Sequence, residues 1–273
     1  MTLPSKVLFS LLFITTLSFS QAIPYGNNPA AGSYHSINGI QLYSEAYGQG
    51  KPFVILHGNG GSIHSHWREI EYYSKYFRVI AVDSRGHGKS VDTSQTLHYE
   101  QMALDIKVLL DTLKIDSAYI YGQSDGGILG LIIACRYPSK VSKLATFGAN
   151  IFPGPTAVYK ELDDMVLETL KTTTDRRTKR LYELLAYEPN ITLEDLQKIS
   201  CPVLLMCGDR DVIRPEHTQL IFQNIKNANQ ATLPGCTHFG AREKPELFNS
   251  MLLPFLQGPF NKKSSVELFT GKH

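Results

Sequence analysis

The chain of 273 residues is short of several things, and each shortage excludes a class of protein. It has four cysteines, no Cys-x-x-Cys pair and no Cys/His spacing suited to structural zinc, so neither a disulfide scaffold nor a zinc module is indicated. Its formal net charge is +2 with 19% charged residues, too small an excess of either sign to give an electrostatic reason for binding nucleic acid. It has no apolar run approaching the ~20 residues that span a bilayer. Internal repeats and low-complexity tracts are absent. With 42% hydrophobic residues, the composition is that of a globular protein and not of a disordered chain.

What is present begins with a processing segment. Lys6 supplies a positive start, and residues 7–19 form an apolar run of thirteen diluted by Ser10, Thr15, Thr16 and Ser18. Ser18 and Ser20 stand three and one positions before Gln21, the small-residue pattern of a cleavage site. Residues 1–20 are therefore expected to be a signal peptide, and the mature chain to be exported to a periplasmic or extracellular compartment with no stable membrane insertion. An uncleaved anchor is the alternative. No cysteine follows the run, which argues against a lipid-anchored form.

Downstream, short continuous apolar runs recur at 52–56, 78–82, 117–121, 143–147 and 202–206, bounded by turn residues. Continuous runs mark strands buried on both faces of a parallel sheet. Between them lie helical periods. Tyr99, Met102, Ala103, Ile106, Leu109, Leu110 and Leu113 share one face, after Thr93 and Ser94 as expected N-caps. Residues 34–47 alternate instead, with Asn38-Gly39 in the middle, and read as an antiparallel hairpin at a sheet edge. The pattern predicts an α/β fold with a mostly parallel, doubly wound sheet. Residues 151–200 interrupt it with helical patterns and no good strand, and are read as a short helical cap between core segments 21–150 and 201–257. Within the cap, the run Asp175 to Arg180 is read as a solvated helix face. Residues 258–273 are read as a polar, loosely held tail.

The chemistry-bearing residues fall at strand ends. Gly122-Gln123-Ser124-Asp125-Gly126 follows a strand and opens an apolar helix expected over 127–137, the context in which G-x-S-x-G presents a nucleophile. The glycines permit a sharp turn and close helix–strand approach. A serine needs a base, and His238 follows the weak strand 230–233. The base needs a carboxylate, and Asp211 follows the 202–206 run, with Asp209 as its rival; Asp209 otherwise reads as a turn residue. The order Ser, Asp, His suits acyl transfer on this kind of sheet. His57-Gly58-Asn59-Gly60-Gly61 follows the 52–56 run, so the backbone N–H groups of Asn59 and Asp125 are the expected oxyanion donors. His57 is read as a loop brace. His64 and His66 are two apart and face different ways, so no metal site is expected, and no cofactor is.

The set Leu56-His57-Gly58, Asp83 to Ser90 (DSRGHGKS), Gly122 to Gly127, Gly208-xx-Asp211 and His238 resembles the α/β-hydrolase superfamily. Its nucleophile region, Ser124 to Ile128 with Tyr137-Pro138-Ser139 and Gly148-Ala149-Asn150, is most similar to the valacyclovir hydrolase branch and its bacterial relatives. The resemblance implies a cofactor-free serine hydrolase acting on small carboxylic esters, with Asp83, Arg85 and Ser90 as scaffold. It also implies a role for Asp125 toward an α-amino group of the substrate; the other reading of Asp125 is a brace for the elbow or for the Asn59 loop. Lactone, thioester and C–C bond hydrolysis use the same apparatus. A non-catalytic ligand sensor would need a broken triad, and none is broken here. The cysteines are read as buried thiols acting as small hydrophobes, with a Cys207–Cys236 disulfide, at the ends of neighbouring strands, as the alternative.

Overall fold

The computed structural model describes residues 23–261 and 263–271; the expected signal peptide lies outside them. Eight strands form one sheet: β1 (Gly32–Ile37), β2 (Ile40–Tyr47), β3 (Pro52–Leu56), β4 (Arg78–Val82), β5 (Ala118–Gln123), β6 (Val141–Phe147), β7 (Val203–Gly208) and β8 (Ala228–Leu233). Their spatial order is β1-β2-β4-β3-β5-β6-β7-β8. The β1–β2 hairpin turns at Asn38-Gly39 and joins the sheet antiparallel through β4, whereas every pairing from β4 to β8 is parallel.

The apolar runs are continuous because both faces of the sheet are covered. Val54, Leu56, Ile80, Ile120, Leu144 and Val203 point to one side, against α2 (Tyr99–Thr112), α3 (Asp125–Arg136) and α7 (Pro215–Asn224). Phe53, Ile55, Val79, Tyr121, Phe147 and Met206 point to the other, against α1 (Trp67–Tyr73), the short α8 (Gly240–Glu243) and α9 (Pro245–Gln257). Successive strand residues alternate sides, so neither face can be polar.

Between β6 and β7 the chain forms α4 (Lys160–Thr172), α5 (Arg176–Tyr187) and α6 (Leu193–Gln197). At the contact of this insertion with the core one expectation fails and another holds only in part. The start of α2 is not capped by Thr93 or Ser94. Its N-cap is His98, and the Tyr99 N–H donates to Glu188 Oε2 at 2.9 Å, so a carboxylate from beyond α5 meets the helix start. The 175–180 run is a solvated face only in part: Asp175, Arg176, Arg177 and Lys179 are exposed, but its ends are engaged. Asp175 caps α5 by accepting from the Thr178 N–H, and Arg180 is buried in an ion pair with Asp92. Asp92 also pairs with Arg85 at 3.2 Å, and Arg85 with Asp105 at 2.6 Å, which makes a buried chain of alternating charges.

The tail is mostly exposed. It carries a short helix, α10 (Ser265–Thr270), closed by a capping box in which Ser264 and Glu267 bond to each other's backbone N–H.

Candidate active site

Parallel strands deliver the residues after their carboxyl ends to one edge of the sheet. The segments after β3, β5, β7 and β8 carry Asn59, Ser124, Asp211 and His238 respectively. Ser124 sits at φ +54°, ψ −120°, a backbone conformation that costs a non-glycine residue ~1–3 kcal/mol. The turn is held from three sides: the Ser124 N–H donates to the Phe147 carbonyl at 2.8 Å, and the Ser124 carbonyl accepts from Gly127 and Ile128. A Cβ on Gly126 would stand 2.1 Å from the Leu56 carbonyl oxygen, so only glycine lets α3 start this close to β3.

His238 Nδ1 and Asp211 Oδ1 are 2.6 Å apart. Asp211 is buried and also accepts from the N–H groups of Gly208 and Ile213, at 3.3 and 3.1 Å, which aims its carboxylate at the ring. The imidazole fits because residue 148 is glycine; a Cβ there would meet the ring at 2.6 Å. Asp209 takes no part. It is exposed, and its Oδ1 accepts from the Cys236 N–H at 3.1 Å, bracing the start of the His238 loop. Gln123 braces the other end by donating from Nε2 to the His238 carbonyl at 2.9 Å. Sequence reasoning passed over Gln123, since the second position of G-x-S-x-G carries no constraint of its own.

Ser124 and His238 line a cavity of about 510 Å³ between the sheet edge and the cap. Its wall is mostly apolar, with Val158, Leu162, Met165, Val166, Leu185 and Ile213 among its residues. Its charged residues are Asp163, Glu188 and Arg242, and the Arg242 guanidinium stands 4.4 Å over the Phe239 ring.

Asn59 lines the cavity, and Asp125 is the first residue of α3, where a backbone N–H has no partner within its own helix. The Asp125 side chain makes the contact that its bracing role expects. It is 3% exposed, outside the cavity wall, and its Oδ2 accepts from Asn59 Nδ2 at 3.0 Å. Asn59 and Tyr99, which do line the cavity, stand against it. The Oδ2 contact is that of a brace for the Asn59 loop. Burial pushes this carboxyl up to about 6.

The remaining motif residues are structural. His57 Nε2 accepts from the Ser84 N–H at 3.0 Å, which requires its neutral form, and burial lowers its pKa to about 3. Asp83 accepts from the N–H groups of Ile63 and Lys89, and the Ser90 hydroxyl donates to the Asp83 carbonyl, so the loop is closed by its own bonds. His64 is exposed, whereas His66 is buried 3.3 Å from Glu69, and no cluster of metal-ligating side chains occurs among the described residues. All four cysteines are buried free thiols, Cys207 and Cys236 included; burial pushes Cys135 and Cys201 up to about 12. Thiols so placed are poor nucleophiles.

A strained serine at a strand–helix turn, a His–Asp pair facing the same cavity and a parallel sheet define a hydrolase of the α/β type. The chain belongs to that family. Residues 51–183 match the α/β hydrolase fold model. A 2-hydroxy-6-oxononadienedioate/2-hydroxy-6-oxononatrienedioate hydrolase of Paraburkholderia phymatum is 30% identical over 80% of this chain and 91% of its own length. Serine hydrolase BPHL of Homo sapiens is 28% identical over 81% of this chain and 85% of its own. Among solved structures, the enol-lactonase of Burkholderia xenovorans shares the fold with a TM-score of 0.71 at 22% identity, over 83% of this chain and all of that one.

Proposed function

We propose that this hydrolase is an exported serine esterase that cleaves small carboxylic esters through an acyl-enzyme. Ser124 is the nucleophile, His238 the base, Asp211 the carboxylate that orients it, and the N–H groups of Asn59 and Asp125 the oxyanion donors. The observation that carries the reading is the His238–Asp211 hydrogen bond at 2.6 Å on the wall of the cavity that Ser124 also lines. With Nδ1–H engaged by Asp211, Nε2 is the free base position. The ester carbonyl is attacked by Ser124 Oγ while its proton passes to Nε2. The tetrahedral oxyanion is met by the two N–H groups. His238 then returns the proton to the departing alkoxide, and water repeats the sequence on the acyl-enzyme.

An uncharged ester suits the cavity better than the dicarboxylate in the name of the Paraburkholderia relative. The wall carries two carboxylates and one guanidinium, which disfavours a dianion. Kinetics on a series of uncharged esters and on a dicarboxylate of similar size test the substrate class: faster turnover of the dicarboxylate overturns it. Export rests on the N-terminal segment. Sequencing the amino terminus of the protein expressed from its full coding sequence should find Gln21 first, in the exported fraction, and an intact chain retained inside the cell overturns this part.

A further inference from the structure

We propose that the Asn59 side chain is a positioning group that makes the oxyanion site depend on the seating of the cap. The inference rests on the serine-hydrolase reading above and adds a device that the triad does not contain.

Asn59 sits among Gly58, Gly60 and Gly61, so the backbone of its loop has little stiffness of its own. One turn bond, from the Gly61 N–H to the Gly58 carbonyl at 3.0 Å, closes it. The His57 ring holds the same Gly58 carbonyl through Nδ1 at 2.8 Å, and what ties Asn59 itself is its carboxamide. Its Nδ2 carries two hydrogens, and both are used: one on Asp125 Oδ2 at 3.0 Å, the other on the Leu181 carbonyl at 3.1 Å. Both neighbours are acceptors, which settles which end of the amide is nitrogen. One side chain thus joins three parts of the molecule. These are the loop that carries an oxyanion N–H, the first residue after the nucleophile, and the middle of cap helix α5.

Leu181 stands where it does because α5 is tied to the core at both ends. Arg180 binds the Asp92 carboxylate, and Arg176 donates to the Thr93 and Ser94 carbonyls. At the far end Glu188 accepts from the Tyr99 N–H and pairs with His98. A displaced α5 takes the Leu181 carbonyl with it. One Asn59 hydrogen then loses its acceptor, and a glycine-flanked loop relaxes away from the geometry that an oxyanion needs. An oxyanion bond forms in the transition state and not in the ground state, so the loss should fall on kcat and spare KM.

The test uses p-nitrophenyl acetate, whose short acyl group limits its contact with the cap, on the wild type, Asn59→Ala, Asn59→Gln, Arg180→Met and the Asn59→Ala/Arg180→Met double variant. Removing an oxyanion donor costs ~10²–10³ in kcat, and displacing one should cost less, so Asn59→Ala and Arg180→Met should each lower kcat by about 10- to 100-fold with KM within about threefold. Asn59→Gln keeps both hydrogens and should recover part of the loss. If the two single variants act through one coupling, the double variant should be little worse than either alone. The inference is overturned by wild-type kcat in Asn59→Ala, by a loss confined to KM, or by losses that multiply in the double variant. A fluorophosphonate that labels the wild type and not Ser124→Ala checks the underlying reading separately. If the wild type neither labels nor turns over the ester, that reading fails and the inference goes with it; labelling with an unchanged kcat in Asn59→Ala removes the inference alone.

Discussion

At the floor of the cavity the Ser124 turn is built from backbone: its N–H on the Phe147 carbonyl, its carbonyl on Gly127 and Ile128, and a glycine at 126 where nothing larger fits. At the roof, α5 is held by side chains: Arg176 and Arg180 at one end, Glu188 at the other. Backbone contacts of the first kind survive almost any change of side chain, and ties of the second kind are lost by single substitutions. The floor sets the reaction class and tolerates little; the roof sets what enters and is free to drift. That division suits a fold on which one nucleophile turn serves many substrates.

Five substitutions, in four tests, sharpen the comparison, from the largest effect to the smallest. At the floor, Ser124→Ala should cost about 10⁶-fold in kcat and abolish fluorophosphonate labelling, while the melting temperature stays within a degree or two, since no packing is lost. Retained labelling in the folded variant breaks the assignment.

Next comes the choice between the two acids of one turn. Asp211→Asn should lower kcat by about 10⁴-fold, because an amide does not hold the imidazole in the required tautomer. Asp209→Asn should leave kcat within a few-fold, since its exposed carboxylate braces only the Cys236 N–H. Parallel kinetics on the two variants decide this, and a worse Asp209 variant reverses it.

At the roof the effect should appear first in stability. Arg180→Met leaves Asp92 buried with Arg85 alone, and denaturant unfolding should show a loss of about 3 kcal/mol, the low end for breaking a buried pair. A loss below 1 kcal/mol would make the roof less dependent on these ties than its geometry indicates.

The smallest effect is a pH dependence at the joint between floor and roof. Burial raises the Asp125 carboxyl from 3.8 to about 6, so the folded state holds this proton more tightly than the unfolded chain does. Its contribution is present below about pH 4 and is lost as pH rises through about 6, a change of about 2 kcal/mol between pH 4 and 7. Asp125→Asn keeps an acceptor for Asn59 and removes the titration. Against the wild type, the variant should therefore gain relative stability as pH rises from 4 to 7, read as a difference in unfolding free energy. A difference that is flat over this range removes the burial argument.

How much could be read in advance follows the same division. The runs at 52–56 and 78–82 coincide with β3 and β4 because a strand buried on both faces has no polar residue to blur its ends. Asn38-Gly39 marked the hairpin because a two-residue turn needs backbone that few residues adopt; Asn38 and Gly39 are both at positive φ. That Ser124, Asp211 and His238 would meet at one edge of the sheet was legible because each follows a strand, the one before His238 being weak. What could not be read were pairings between distant segments. A charge run looks the same whether its partner is water or, as for Arg180, an aspartate from a loop 88 residues earlier. Helix α2 gave away its apolar face and not its start, because the group that meets its first N–H comes from the cap. The two roles of Asp125 stayed open for the same reason, since the side chains in front of it come from β3's loop and from α2.

The Glu188–Tyr99 bond has a consequence in time. Its partners are 89 residues apart, and at ~5–20 residues per second a ribosome needs roughly 4–18 s to make the second after the first. By the end of that interval the nascent chain contains β1 through β6 and the Ser124 turn, but until Glu188 is made the first turn of α2 lacks the carboxylate that completes it. The core of this hydrolase is thus finished by a segment that is not part of its core, and a chain halted inside the cap would leave behind a sheet whose second helix begins loose.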